Sequence, residues 1–144
     1  MTVALAAISE TPLSLDTHLA AVDDARAGAV TTFLGRVRDH DPDAAGEVVA
    51  LEYTAHPDAE SILHRIAEEA VSVGASGEAI IAVSHRIGRL PVGSAAVVIA
   101  VAAAHRDEAF VVCREMIEAI KRDLPVWKRQ VEADGSTVWK GIGG

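Results

Sequence analysis

Two apolar runs limit what this 144-residue chain can fold into more than any other feature of the sequence. Residues 79–84 and 95–104 consist almost entirely of alanine, valine and isoleucine, and each run is followed by a histidine–arginine pair. A strand that is apolar on both faces has to be covered on both faces. The two runs are therefore predicted to be central strands of a sheet. The segment between them, 88–93, is rich in glycine and proline and is predicted to be a turn.

The remaining pattern predicts helices and strands in a mixed order. Helices are predicted at 15–27, with Ser14 or Asp16 as the cap, at 57–73 and at 107–123. Further strands are predicted at 2–8, 29–37, 47–54, 126–133 and 137–140, the first at a sheet edge and the last two in a hairpin around Asp134-Gly135. Adjacent strands with short connections favour an α+β fold over a doubly wound parallel sheet. We expect one α+β domain over residues 1–144.

Helical spacing assigns a buried face to the second and third helices. The expected buried residues are Ile62, Ile66, Ala70 and Val73 in the second helix, and Phe110, Cys113, Ile117 and Ile120 in the third. Cys113 is the one cysteine of the chain and is interpreted as a small core residue rather than a nucleophile. With no disulfide, no secretion signal and no apolar run long enough for a membrane helix, the sequence predicts a cytosolic protein.

The charge pattern favours a small anionic ligand. The chain has 13 lysines and arginines against 21 aspartates and glutamates, a net charge of −8. This sign argues against nonspecific binding to nucleic acid or to an anionic membrane. The cations are nevertheless clustered, at Arg36 and Arg38, at Arg86 and Arg89, and between Arg106 and Arg129. A local basic patch on an acidic protein suits a small anion better than a polyanion.

The second histidine–arginine pair, His105-Arg106, stands between a predicted buried strand and a predicted helix. Helix N-termini have unpaired backbone N–H groups that attract anions, so the pair is a candidate phosphate or carboxylate site. In the alternative interpretation, Arg106 pairs with Glu108 and His105 packs as a capped core residue. The first pair, His85-Arg86, has no helix after it, and a structural role is favoured there.

Lysine is rare in this chain, and two of its three lysines flank Pro125 and Trp127. Burial or a neighbouring cation lowers the pKa of a lysine, which then acts as a base or nucleophile, whereas arginine stays protonated. Lys121 and Lys128 are therefore candidate catalytic residues. The alternative is that both are solvated, with Lys121 favoured by the helix dipole at the end of the third helix.

The polar segment 39–46 contains residue types that bind metals, namely Asp39, His40, Asp41 and Asp43. Four polar side chains in a flexible loop are more often solvated than bound to a metal. The loop is therefore interpreted as a solvated connection, and no metal site is predicted.

Several short motifs occur together along most of the chain. They are Gly35-Arg36-Val37-Arg38 after Phe33, His85-Arg86-Ile87-Gly88 followed by Leu90 and Gly93, Ala104-His105-Arg106 with Phe110, Lys121 with Pro125-Val126-Trp127-Lys128, and Trp139. In this combination the chain resembles the large, catalytic subunit of molybdopterin synthase. The resemblance implies an α/β-hammerhead fold with a mostly antiparallel sheet, flanking helices and a C-terminal hairpin.

The same resemblance implies a sulfurtransferase of molybdenum cofactor biosynthesis. The implied substrate is cyclic pyranopterin monophosphate, also called precursor Z, and the product is molybdopterin. Two dithiolene sulfurs come from the thiocarboxylated C-terminus of a small ubiquitin-like carrier subunit, and no metal or other cofactor is implied. The implied assembly is a heterotetramer, in which a central dimer of large subunits carries one small subunit at each outer end.

The resemblance also implies roles for individual residues. Lys121 and Lys128 would be the catalytic lysines, which face the thiocarboxylate and assist proton transfer or bond covalently to substrate or intermediate. The implied substrate-binding residues are Arg36, Arg38, His105, Arg106, Arg129 and Gln130, with His105 and Arg106 acting in cis or across the dimer. Two departures are Gln130, where a glutamate is common, and a short tail after Trp139. The final Gly143-Gly144 is interpreted as a short flexible tail rather than as the C-terminus of a sulfur carrier.

Two other functions fit the residues alone. One is an acyl- or phosphoryl-handling enzyme, although phosphoryl transfer usually needs carboxylate-bound Mg²⁺ and often a glycine-rich loop. The other is an anion-binding module without chemistry. Replacing either lysine by arginine separates these functions from a lysine-dependent enzyme, because a binding module tolerates a charge-conserving change.

Overall fold

The computed structural model describes residues 2–41, 46–137 and 139–143 of the chain. Over these ranges the helices are α1 (Leu15–Ala21), α2 (Ala59–Val73) and α3 (Arg106–Asp123). The strands are β1 (Val3–Ser9), β2 (Ala29–Arg36), β3 (Val48–Ala55), β4 (Ile80–Arg86), β5 (Gly88–Pro91), β6 (Ala95–Ala103), β7 (Val126–Glu132) and β8 (Trp139–Gly141). Among the described residues, no helix combines the length and the apolar character needed to cross a membrane.

The first sheet has the strand order β1-β4-β6-β2. Strand β1 runs parallel to β4, while β4 and β2 both run antiparallel to β6. The two apolar runs are the central strands β4 and β6, and β6 is buried from Ala96 to Ala103. The prediction from their composition is therefore confirmed. The first strand lies at one edge, as predicted, and β2 lies at the other.

The second sheet has the order β5-β3-β7-β8, and its pairs are antiparallel. The predicted turn at 88–93 is partly wrong, because residues 88–91 form strand β5 beside β3. Gly88 (φ 97°) and Gly93 (φ 90°) turn the chain on either side of it. Leu90 between them is fully buried and pairs with Leu51. Since β1–β4 is the one parallel pair among the described strands, the expected mostly antiparallel α+β fold is confirmed.

Helices α2 and α3 cover one face of the first sheet. Leu63 of α2 and Met116 of α3 belong to the same buried cluster as Ile81 and Ile99 of the central strands. Each aliphatic side chain of this size contributes about 1.5–3 kcal/mol when it leaves water. This layer is the main hydrophobic core, and it holds the end of α3 firmly against the sheets.

Most residues predicted to form the buried faces of the second and third helices are buried or partly buried, and two of them are exposed. Of the predicted residues, the structure buries Ile66, Ala70, Cys113 and Ile120 and partly buries Ile62 and Ile117. Val73 is 52% exposed and Phe110 is 61% exposed, which corrects both predictions. In α3 it is Ala109 that faces the sheet, and Phe110 lies about 100° further around the helix. A small alanine at that position lets the helix approach the sheet closely.

Helix α1 is shorter than the predicted helix at 15–27. Ser14 is its cap, as predicted, because its hydroxyl accepts a hydrogen bond from the backbone N of Thr17 at 3.2 Å. The chain leaves the helix after Ala21, and the carboxylate of Asp24 accepts from the backbone N of Arg26 at 2.8 Å. Local hydrogen bonds of this kind let aspartate compete with the helix, so the helix ends early.

A buried hydrogen bond joins α1 to the first sheet. His18 is 2% exposed, and Ser84 on β4 is 4% exposed. Nδ1 of His18 lies 2.6 Å from the backbone O of Ser14, which only accepts, so Nδ1 carries a proton. In the neutral ring, Nε2 then accepts from the hydroxyl of Ser84 at 2.8 Å. The pair satisfies two polar groups in an otherwise apolar contact.

We expect Ser84→Ala to lower the free energy of unfolding by about 1–3 kcal/mol, because Nε2 of His18 would stay buried without a partner. Urea unfolding followed by circular dichroism measures the change. The matched control is Ser72→Ala on the exposed side of α2, where the hydroxyl donates only to the backbone O of Glu69. Equal effects of the two substitutions would contradict a stabilising His18–Ser84 bond.

Candidate active site

A polar cavity of about 120 Å³ opens where the two sheets meet. Its walls come from β2 and the loop after it, from β3, β4, β6 and β7, and from the end of α3. The polar side chains that line it are Arg36, Arg38, His40, Asp41, Tyr53, His85, Lys121, Lys128 and Gln130. The structure therefore brings together five of the predicted site residues, which are Arg36, Arg38, Lys121, Lys128 and Gln130.

The pairing of β3 with β7 forms one wall of the cavity. Tyr53 lies opposite Lys128, and Leu51 lies opposite Gln130. Because successive side chains of a strand point to opposite faces, these four share one face of the second sheet. Trp127, the residue before Lys128, is 43% exposed on the other face. The alternation of side chains along β7 is thus what places Lys128 in the cavity and Trp127 outside it.

The two lysines reach the cavity from different elements. Lys121 lies in the last turn of α3, and Pro125 then leads the chain into β7, which carries Lys128. Although Lys121 remains accessible to solvent, the surrounding protein lowers the pKa of its ammonium group by desolvation, and the charge of Lys128 lowers it further. The expectation that two neighbouring cations would lower the pKa of one lysine agrees with this direction. A larger neutral fraction suits Lys121 for proton transfer near neutral pH.

The arginines give the cavity a positive potential. Arg36 ends β2 and donates from Nε to the backbone O of Gly93 at 3.1 Å, which orients its guanidinium. Val37 is 2% exposed, so Arg36 and Arg38 on either side of it point the same way, as the alternation predicts. Among the described residues, the cavity is lined by these two guanidinium groups, by two lysines and by one carboxylate, that of Asp41, which lies 3.8 Å from Nζ of Lys140. This balance favours a small anionic ligand.

His85 is a cavity residue that sequence reasoning missed. It is 3% exposed, and its ring packs edge-on against Tyr53 with centroids 5.0 Å apart. Burial lowers the pKa of His85 to about 4, the backbone O of Arg86 opposes this shift, and the charge of Lys121 adds to it. Burial also raises the pKa of Tyr53 to about 12, so both rings are neutral at pH 7.

The order of the strands indicates where His85 lies relative to the other cavity residues. Strands β2 and β4 both pair antiparallel with β6, so they run in the same direction and end at the same edge. Gly35 and His85 both lie opposite Val97. Once β2 is assigned to this sheet, the histidine after the second apolar strand has to lie near Arg36.

The structure does not bring Arg129 to the cavity. It is the residue after Lys128 in β7 and therefore points to the other face of the second sheet. There its guanidinium pairs with Glu52 and stacks over Trp139, with Cζ 4.7 Å from the ring centroid. Arg89 also pairs with Glu52, at 3.5 Å. Within one copy of the chain, Arg129 therefore does not line the cavity, and the substrate-binding role implied for it stays a prediction.

His105 and Arg106 lie at the far end of α3 from the cavity. Lys121 lies sixteen positions after His105, which corresponds to about 24 Å along a helix. Both side chains are exposed, so the alternative of a packed core histidine is wrong. Glu108 accepts hydrogen bonds from the backbone N and hydroxyl of Ser76, at 3.0 and 2.7 Å. Within one copy of the chain, this histidine–arginine pair cannot share a ligand with the two lysines.

The C-terminal residues pack beside Lys121. Ile142 is 4% exposed and belongs to the main core. A Cβ on Gly143 would lie 2.5 Å from the backbone O of Lys121, so only glycine fits there. The interpretation of Gly143 as part of a flexible tail is therefore wrong, and Gly144 lies outside the described residues.

The segment 39–46 shows no metal site in the part that is described. His40 pairs with Asp39 at 3.1 Å, and both side chains are mostly exposed. Across residues 2–41, 46–137 and 139–143, no group of three or more His, Cys, Asp or Glu side chains converges. Asp43, named as a metal-binding residue type, lies outside the described residues.

The fold and the cavity define an α+β protein with a cavity that two lysines and two arginines line and that suits a small anion. The family model described as "MoaE protein" matches residues 8–123. A relative, the molybdopterin synthase catalytic subunit of Nostoc sp., is 39% identical over 138 residues, which are 95% of this chain and 82% of the relative. This chain belongs to the MoaE family, and the resemblance seen in the sequence is confirmed.

Solved structures agree with this assignment. A crystal structure of molybdopterin synthase from Staphylococcus aureus has a TM-score of 0.85 at 32% identity, and the match covers 93% of this chain and 95% of that one. A complex of subunits 1 and 2 of molybdopterin-converting factor from Helicobacter pylori 26695 has a TM-score of 0.74 at 17% identity. That match covers 96% of this chain and 90% of the other, and it shows that the fold is shared.

We expect His85 to make the protein less stable in acid. Its pKa is about 4 in the folded protein against an ordinary value of 6.5, so between these values the unfolded chain binds more protons. Stability should therefore fall as the pH decreases from about 6.5 toward 4, and His85 should account for roughly 2–3 kcal/mol of that fall at about pH 4.5.

The control for this prediction is His85→Asn, which keeps an N–H donor for the Arg86 carbonyl and does not titrate. Urea unfolding is measured for both proteins at neutral pH and in mild acid. The loss of unfolding free energy should be smaller in the variant by the amount given above. An equal loss in both proteins would contradict a buried neutral imidazole.

Proposed function

We propose that this chain is the catalytic subunit of a molybdopterin synthase and converts precursor Z to molybdopterin as a sulfurtransferase. The observation that carries the proposal is the cavity, in which Lys121, with its lowered pKa, lies near Lys128 and two guanidinium groups. Relatives with this name match over nearly the whole chain, as the 95% coverage by the Nostoc protein illustrates. We further propose that residues 1–144 form one domain and that the protein is cytoplasmic.

The cavity offers separate groups for the phosphate and for the ring of the substrate. Guanidinium groups bind phosphate through paired N–H donors, so Arg36 and Arg38 are suited to the monophosphate. Gln130 is 8% exposed and contributes an amide that both donates and accepts. A glutamate at this position would only accept and would add a negative charge, so the glutamine leaves the cavity more positive.

The lysines suit the sulfur-transfer chemistry. Each transfer forms a carbon–sulfur bond on the pterin in place of a carbon–oxygen bond, whose oxygen leaves as water or stays on the phosphate. It also breaks the carbon–sulfur bond of the carrier, whose acyl carbon takes an oxygen from water and becomes a carboxylate, and protons have to move as this happens. A protonated lysine attracts the anionic thiocarboxylate, and a lysine in its neutral form accepts a proton or bonds to an acyl carbon. The lowered pKa assigns the second role to Lys121 and leaves the first to Lys128.

The carrier has a suitable approach on the other side of Lys121. A shallow groove of about 430 Å³ runs from this lysine along Pro125, Trp127 and Ile142. Trp127 presents an exposed aromatic ring there, a residue type enriched at protein interfaces. In Helicobacter pylori the corresponding fold is seen in a complex of two subunits. We infer that a small ubiquitin-like, thiocarboxylated subunit docks on this groove and places its C-terminus beside Lys121.

A dimer of this chain would complete the site. Strand β2 is an edge of the first sheet, and its start, Ala29, pairs with Ala103, two residues before His105. Its other end reaches the cavity at Arg36. If two copies pair through β2 in antiparallel fashion about a twofold axis, the start of one strand meets the end of the other.

That arrangement brings His105 and Arg106 of one copy to the cavity of the other, which a single copy cannot do. Exposed apolar side chains support burial of this edge, since Val30 is 50% exposed on β2 and Phe110 is 61% exposed on α3. With one small subunit on each copy, the proposed assembly is a heterotetramer.

Reconstitution tests the function. We expect purified protein, thiocarboxylated small subunit and precursor Z to yield molybdopterin, and either Lys121→Arg or Lys128→Arg to slow this at least about 100-fold. Both variants should still bind the small subunit, because arginine keeps the charge. Arg65→Lys, on the exposed side of α2, is the control for a charge-conserving change. A wild-type protein that binds neither partner nor precursor would favour an anion-binding module instead.

Mixed dimers test whether the site is shared. Homodimers of Lys121→Arg and of Arg106→Ala should both be nearly inactive. In a mixed dimer of the two variants, a shared site leaves one of its two sites free of substitutions, so about half of the wild-type activity should return. If each site is built from one copy, both sites of the mixed dimer carry a substitution, and activity stays low.

A further inference from the structure

The third lysine of the chain, Lys140, lies close to the other two. The sequence has three lysines in all, Lys121, Lys128 and Lys140. Strand β8 pairs antiparallel with β7, and Lys140 lies directly opposite Lys128. Residues opposite each other on neighbouring strands share a face of the sheet, so Lys140 is on the face that lines the cavity. The structure therefore gathers every lysine of the chain in one place.

Lys140 lies between the cavity and the groove proposed for the small subunit. Its Nζ is 3.8 Å from Oδ1 of Asp41, a residue of the cavity wall. The same lysine lines the groove together with Lys121. Its side chain is 25% exposed and that of Asp41 is 16% exposed, so the ion pair is partly shielded from solvent. A chain end that enters the cavity from the groove therefore comes close to Lys140.

Packing of the C-terminal residues fixes the strand that carries Lys140. Ile142 follows β8 directly and is buried in the main core. Gly143 lies so close to the end of α3 that a Cβ there would be 2.5 Å from the backbone O of Lys121. Strand β8 cannot leave α3 without exposing Ile142 to water, which is unfavourable. The backbone of Lys140 is thus in place before a partner binds, and this lowers the cost of binding.

The charges around Lys140 form a site that an incoming anion is able to occupy. Two lysines directly opposite each other on neighbouring strands repel. The carboxylate of Asp41 offsets part of that repulsion in the free protein. An ion pair at 3.8 Å that is partly open to solvent is weak, so another anion competes with it readily. Lys128 and Lys140 therefore attract an anion, and Asp41 supplies the counter-charge until that anion arrives.

We propose that Lys140 binds the anionic C-terminus of the docked small subunit, and that this terminus takes the place of Asp41 beside the ammonium group. This inference rests on the proposed function. A terminal thiocarboxylate concentrates a full negative charge in its last atoms, and an ammonium N–H donates a strong hydrogen bond to such a group. Lys140 acts here as a fixed charge and transfers no proton. Arginine is therefore able to replace it, unlike the two catalytic lysines.

The alternative is an ion pair that only fastens the segment after β2 to β8. In that case the loss of either partner has the same effect. In our proposal the two losses have opposite effects, because Lys140 attracts the incoming terminus and Asp41 repels it. The pair of substitutions Lys140→Met and Asp41→Asn, which remove one charge each and nearly keep the side-chain size, separates the two cases.

Binding of the small subunit from the same organism is measured by calorimetry without precursor Z. The subunit is made once with a free C-terminal carboxylate, which carries the charge of the thiocarboxylate, and once with a neutral C-terminal amide. We expect Lys140→Met to weaken binding of the carboxylate form about 10-fold and to leave the amide form within about twofold of the wild type. Lys140→Arg should stay within about threefold for both forms, because the charge is kept.

Asp41→Asn should tighten binding of the carboxylate form about threefold and leave the amide form unchanged, since it removes a like charge beside the incoming terminus. The matched controls are Arg65→Met and Glu69→Gln, which break an ion pair of 3.9 Å on the exposed side of α2. Neither control should change the affinity for either form.

The proposal is overturned if Lys140→Met binds both forms as the wild type does. It is also overturned if Lys140→Met and Asp41→Asn weaken both forms equally, because that is the result of a purely structural ion pair. If Lys140→Met does not fold, Asp41→Asn still decides, since unchanged or weaker binding of the carboxylate form contradicts the exchange. A wild-type protein that binds neither form overturns the proposed function itself.

Discussion

The antiparallel pairing of β6 with both β2 and β4 is the interaction on which the site depends. It makes β2 and β4 run in one direction and sets Gly35 and His85 opposite the same residue, Val97. Since β6 is buried along almost its whole length, a shift of this pairing would expose its apolar face or break the helix layer above it. The most apolar strand of the chain, β6, thus fixes the relative positions of the strands that carry the polar residues of the cavity.

The lining of the cavity brings positively charged side chains close together. Elsewhere, several arginines pair with carboxylates, as Arg129 and Arg89 do with Glu52. In the described part of the cavity lining, two arginines and two lysines lie together with the carboxylate of Asp41, which pairs with Lys140. This arrangement costs stability in the free protein, but it prepares a field for an anionic substrate and lowers the pKa of Lys121. The repulsion between these cations is unfavourable for folding, and the packing of the surrounding core offsets it.

Sequence reasoning correctly predicted features that depend on a single helix, strand or short stretch of the chain. The scarcity of lysine drew attention to Lys121 and Lys128, and strand alternation placed Arg36 and Arg38 on one face. It missed that His85 lines the cavity, because the position of this residue depends on which strands lie beside β6. Strand alternation also separates Arg129 from the cavity, because a residue next to Lys128 on a strand points away from it. Phe110 was misplaced because helix periodicity alone does not say which residue lies closest to the sheet.

The sequence by itself determined the central strands, the order of helices and strands apart from β5, the family and the residue types of the site. These follow from short-range periodicity and from motifs that are legible along the chain. Only the tertiary structure decided that Lys121 lies in the cavity while His105 lies at the far end of the same helix. It also decided that a buried imidazole, that of His85, lines the same cavity. The physical reason is that burial, pKa and the distance between two side chains depend on strand order and packing, which no local stretch of sequence contains.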